Sequence, residues 1–111
     1  MTEVKKDTNL LLLSKGKRDS ILIAIAKETY LKELPEIHWI FDDEQIEIKS
    51  HQVNDKEDPR NGWTIYKVKL HSHYYKEGIK KTNITTVYVW GENSKPAMFL
   101  FGDGRPIVYD D

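Results

Sequence analysis

His71-Ser72-His73 sets two imidazoles at i and i+2. On a strand, that spacing puts both rings on one face, a usable geometry for two metal ligands. His38, His51 or a carboxylate would have to supply a third. Lys67 and Lys69 stand on the same face just upstream, and their charge repels a cation. The favoured reading is a solvated strand face, and no metal ligand is assigned. Lys15-Gly16-Lys17-Arg18, ahead of a helix, has the ingredients of an anion site, with free N–H groups and cations around them. It is not a Walker A loop, because Leu11 stands where that pattern needs a glycine. Gly102-Asp103-Gly104 follows an aromatic strand and leads into proline, so it reads as a turn. The serines show no nucleophile-elbow context, and no two acid–base groups can be brought within reach of each other from the sequence alone. No catalytic, cofactor-binding or metal-binding residue is assigned, and no cofactor is expected.

What remains is a surface. Thr85 to Tyr109 reads as strands apolar on both faces. With Trp90 opposite Ala97, one face carries Val87, Val89, Met98, Leu100, Ile107 and Tyr109. The other carries Tyr88, Trp90, Phe99, Phe101 and Val108, with Trp63 and Tyr75 extending it. Tyr88, Trp90, Phe99 and Phe101 are therefore the candidate partner-binding residues. The competing reading buries them as a second core, since Trp and Phe are mostly interior residues. Left exposed, such a patch marks an interaction site.

The elements that must position these residues begin with a helix over Arg18 to Leu34, capped by Asp19 or Ser20 and ended by Pro35. Gly16 reads as a break before it. The run Ile21 to Ala26 is apolar almost all round, which predicts deep burial. Leu10 to Leu13 fits a short strand or a first helical turn. Ile37, Trp39 and Phe41 alternate, and so do Ile46 and Ile48, but with opposite parity. A hairpin turning over Asp42-Asp43-Glu44-Gln45 puts all five on one face; a bulge in one long strand is the rival. Asn54 to Gly62 is a loop, and Trp63 to Tyr75 a long strand with Tyr66, Val68 and Leu70 facing the core. Lys76 to Asn83 reads as a second polar connection. Asp103-Gly104 is a two-residue hairpin signal that pairs Phe101 with Pro106 and Phe99 with Val108. Pro106 then makes the last strand a sheet edge. The result is an α+β domain over residues 1–111, with 1–8 frayed. One long N-terminal helix packs on a strongly twisted antiparallel meander of five to six strands. Cystatin-like and NTF2-like cones and helix-grip folds share this layout, as an analogy of architecture.

Composition narrows the function classes. The chain has 111 residues, enough for one core that buries roughly two-thirds of the unfolded chain's surface. Three Trp, six Tyr and three Phe are too many for a disordered chain. With no cysteine, disulfides, Cys-ligated zinc and thiol chemistry are excluded. A charged start and short apolar runs predict a soluble, cytoplasmic protein with no membrane partner. Seventeen basic against eighteen acidic residues lack the excess that duplex binding requires. The first functional reading is a small non-enzymatic protein-binding module, of inhibitor, immunity or adaptor type, or a homodimer, acting through the aromatic face. The second is a small-ligand protein or enzyme, with Tyr66, Tyr88, Trp90, His71 and His73 lining a pocket between helix and sheet. The third is single-stranded nucleic-acid binding by stacking on the aromatics, which Glu92, Asp103, Asp110 and Asp111 near that face oppose.

Overall fold

The computed structural model describes residues 8–102 and 104–109. The frayed segment expected at 1–8 lies outside them apart from Thr8, as do Asp103 and the terminal Asp110-Asp111.

Helix α1 spans Lys15–Glu33. It starts one turn earlier than the sequence predicts, because Ser14 is the cap: its side chain accepts from the Lys17 N–H at 3.5 Å. Gly16 falls in the first turn, whose N–H groups have no intrahelical partner in any case, so it does not break the helix. Lys15 and Asp19, four residues apart, add an ion pair at 2.9 Å. Leu22, Ile25, Ala26, Thr29 and Tyr30 are buried, a single stripe at helical spacing. Ala24 is exposed and Ile21 and Ile23 only half-buried. The expected all-round burial is therefore not met: one sheet face receives one stripe. Leu10–Leu12 form a 3-10 turn that buries Leu10 and ties its N–H to the Gly91 carbonyl at 2.7 Å.

The six strands are β1 (Ile40–Phe41), β2 (Glu47–Gln52), β3 (Thr64–Lys76), β4 (Ile79–Trp90), β5 (Pro96–Phe101) and β6 (Ile107–Val108). They form one antiparallel sheet in the order β1-β3-β4-β5-β6, with β2 also on β3. The sheet does not close into a barrel. With the N-terminal helix on one side of a twisted antiparallel meander, the predicted α+β architecture holds.

The hairpin predicted over Asp42 to Gln45 does not form. β1 and β2 both pair with β3, Phe41 opposite Ser72 and Glu47 opposite Lys69. Six residues on one strand thus span three on the other, and a 3-10 turn at Asp43–Gln45 absorbs the excess. An odd excess flips the parity. Ile37, Trp39, Phe41, Ile46 and Ile48 consequently all pack on the core, by way of the rival irregular strand. The polar connection expected over Lys76 to Asn83 is also absent. Glu77-Gly78 forms a two-residue turn with both residues at positive φ, 53° and 77°. That is the geometry whose twist matches a hairpin.

Core side chains come from one face of the sheet: Tyr66, Val68 and Leu70 of β3, Val87 and Val89 of β4, and Phe99 of β5. Each such side chain contributes about 1.5–3 kcal/mol when fully buried. Tyr30 is the hub. It is fully buried, and its ring meets Trp39, Phe41, Phe99 and Phe101 edge-on at 5.0–6.2 Å. Its hydroxyl shares a 2.7 Å hydrogen bond with Ser72 Oγ.

Candidate functional site

The sheet face turned away from α1 is built by register. Tyr88 stands between Lys67 and Met98, and Met98 opposite Val108. The next row is Lys69, Thr86 and Leu100, and the one beyond it pairs His71 with Ile84. Tyr88, Met98 and Leu100 are half-buried, while Ile84 is 46% and Val108 64% exposed. On the β2 side the row continues to Lys49, directly opposite Lys67. The Lys67 ammonium lies 5.6 Å from the Tyr88 ring centroid. This is a contiguous apolar patch on β4, β5 and β6 with a lysine flank on β2 and β3.

The four aromatics expected on one face are split. Val87, not Tyr88, stands opposite Phe99. Phe99 is 2% exposed and, with Phe101, packs on Tyr30 in the core. The cause is a pair of one-residue slips. After β4, the chain turns tightly: the Ser94 N–H donates to the Trp90 carbonyl, and the Trp90 N–H to that of Lys95, both at 2.9 Å. A bulge at Ala97 then moves the register by one, so Met98 meets Tyr88. After β5, the Gly104 N–H bonds the Phe101 carbonyl at 2.9 Å, with Gly102 at φ 54°. Phe99 accordingly pairs with Ile107 instead of Val108. Both slips act on β5, so β5 alone is inverted: Met98 and Leu100 replace Phe99 and Phe101 beside Tyr88. β6 remains the sheet edge, with Pro106 just outside it.

Trp90 stays on the outer face but is only 9% exposed. The 53–63 loop closes over it. Val53 and Trp63 pair through backbone, and Asp55 and Asp58 carboxylates cap internal N–H groups. This seats Trp63 against Trp90 at 5.7 Å, edge to face. The Arg60 guanidinium caps both, at 5.4 and 4.9 Å from the two rings. Gly91 lets this end of the sheet close: a Cβ there would lie 2.9 Å from the Tyr66 ring.

The two histidines do not converge. His73 gives its Nδ1 to Asp42, at 3.1 and 3.2 Å from the two carboxylate oxygens. His71 is one pleat along, opposite Ile84. Among the described residues, no cluster of three His, Cys, Asp or Glu side chains could hold a metal. Tyr66 faces the other way, buried under the Arg18 guanidinium at 5.3 Å. It lines a cleft of about 340 Å³ between the start of α1 and β2, together with Arg18, Asp19, Ile23 and Ile46. Neither histidine, nor Tyr88, nor Trp90, lines that cleft. Partial burial pushes the Asp19 carboxyl up, but hydrogen bonds from Lys15 and Arg18, with their charges, outweigh it and hold the group below its ordinary range.

Sequence reasoning did not find Met98 and Leu100 as outer-face residues. The deciding event is the bulge at Ala97, since a turn that closes Trp90 on Lys95 keeps the parity of a Trp90–Ala97 pairing, and no residue type in the sequence marks that bulge. Among comparisons with known proteins, no family model, curated protein or solved structure matches this chain. Among the described residues, no helix is long and apolar enough to cross a membrane.

Proposed function

We propose that this protein is a binding module that docks a protein partner on the outer sheet face, around Tyr88, Met98, Leu100 and Val108. One observation carries the reading. The helix covers one face of the sheet, and the opposite face keeps a contiguous set of half-buried and exposed apolar side chains across three strands. Scattered apolar residues on a surface need no explanation, but a joined patch does. Trp90 supports the patch from below the 53–63 loop, and Phe99 and Phe101 hold β5 to the core, so neither presents a contact. The cleft at Tyr66 is lined by Lys15, Arg18 and Lys49; Asp19 engages the first two, and one remaining lysine at its edge favours no second reading.

The test is co-purification from the source cells, with Leu100→Asp and Val108→Asp as disrupting variants and Leu12→Asp as control. Leu12 is 82% exposed, on the 3-10 turn outside the outer face. Thermal melts check that each variant folds. One discrete protein, or a second copy of the chain, accompanies wild type and Leu12→Asp and is lost from both outer-face variants. Retention by both folded variants, or a strictly monomeric wild type that carries nothing, defeats the reading.

A further inference from the structure

The outer face is asymmetric in charge, and this indicates what it would bind. Lys49 and Lys67 stand directly opposite one another across β2 and β3, with Lys69 two residues along. Like charges directly opposite destabilise a sheet. Among the described residues, neither Lys49 nor Lys67 has a carboxylate within 4 Å, and Lys69 reaches only Glu47, at 3.8 Å. At this end Glu92 spends both carboxylate oxygens on the Thr64 N–H, at 3.0 and 2.9 Å, and Asp55 and Asp58 of the 53–63 loop each accept a backbone N–H of that loop. The chain as a whole carries a net charge of −1, so this cationic flank is a local concentration and not a general excess.

Resting on the docking reading above, we infer that the partner is an acidic protein segment: a large apolar side chain seated between Tyr88, Met98 and Leu100, flanked by carboxylates that meet Lys49, Lys67 and Lys69. An apolar centre with a charged border is the ordinary anatomy of a protein interface. Complementary charge would set its orientation and speed its encounter. Nucleic acid has the same sign but fits less well. Stacking needs open aromatic faces. Here Tyr88 already carries the Lys67 ammonium, Arg60 caps Trp63 and Trp90, and the rest of the patch is Met, Leu and Val.

The experiment uses three labelled probes at low salt: a random Glu–Tyr copolymer, poly-glutamate, and a thymidine 20-mer. Fluorescence anisotropy reads binding to wild type, to Leu100→Asp, and to the double variant Lys67→Glu/Lys69→Glu. The double variant turns the Lys49–Lys67 pair into an opposite-charge pair but sets a glutamate opposite Glu47, so thermal melts check its fold; Lys67→Gln/Lys69→Gln, which creates no like-charge pair, is the neutral check. The inference expects the copolymer to bind, poly-glutamate to bind about tenfold more weakly for want of an apolar anchor, and each variant to weaken the copolymer about tenfold or more. Salt should weaken it too. Absence of copolymer binding, indifference to the lysine variants, or tighter binding of the thymidine 20-mer would overturn it. So would a homodimer that occupies the face. If a co-purifying protein is lost from Leu100→Asp but kept by Lys67→Glu/Lys69→Glu, the docking face stands and the acidic partner falls.

Discussion

Tyr30 joins helix to sheet through one hydroxyl and four ring contacts, and its two contributions are separable. Tyr30→Phe keeps the ring contacts with Trp39, Phe41, Phe99 and Phe101 but leaves Ser72, 1% exposed, without its 2.7 Å partner. An unsatisfied buried hydroxyl costs about 1–3 kcal/mol, and urea denaturation should register a loss in that range. Tyr109 makes the opposite case. Among the described residues its buried hydroxyl has no partner within hydrogen-bond geometry, although the Glu33 carboxylate lies close to it. Burial, and then the Glu33 carboxylate nearby, push the phenol up to about 12. The unfolded chain loses this proton near pH 10 while the folded chain still holds it. The folded state thus binds more protons, and stability must fall as pH rises from about 10 towards 12. Tyr109→Phe should match or exceed wild type at pH 7 and should lose less stability on going to pH 11. A steeper alkaline loss in the variant would contradict this. Tyr30 could be read in the sequence as part of the apolar helix set. Its bond to Ser72 could not, because 42 residues separate them and only the finished register brings them together.

At the scale of elements, the helix and the long β3 strand were legible because their signals are repetitive. What failed were junctions, where one residue decides. Ser14 outcompeted Asp19 and Ser20 as the cap, and a bulge at Ala97 inverted β5. Each is a single-residue event with a whole-strand consequence, since the side-chain period of a strand is two. The β3–β4 turn is a further case. Its Gly78 suits a positive φ, but Glu77 at φ 53° is a poor occupant and hides the turn from a sequence reading. Left-handed backbone costs a residue with a β-carbon roughly 1–2 kcal/mol, and Asn tolerates it best. Glu77→Asn should therefore stabilise the protein by about 1 kcal/mol, a rise in Tm of about 4 °C by calorimetry. An unchanged or lower Tm would argue against the turn as described.

For the whole molecule, one helix and one open sheet leave a face uncovered, and that imbalance was readable from the apolar content of Thr85 to Tyr109 alone. Which residues occupy the face was not readable, because it depends on two registers that both slipped by one. The observed register makes the patch less aromatic and more aliphatic than the sequence predicts: Tyr88 with Met98, Leu100 and Val108, and lysines along one flank. It also separates support from contact, since Trp63, Trp90 and Arg60 hold the end of the sheet together beneath their own loop. The central claim is that the outer face is a docking surface. A photo-crosslinking residue placed at Leu100, and separately at Leu12, tests it most directly in the cells that make the protein. The account predicts one discrete adduct from position 100 and none from position 12. Equal adducts from both positions, or none from position 100, would contradict it.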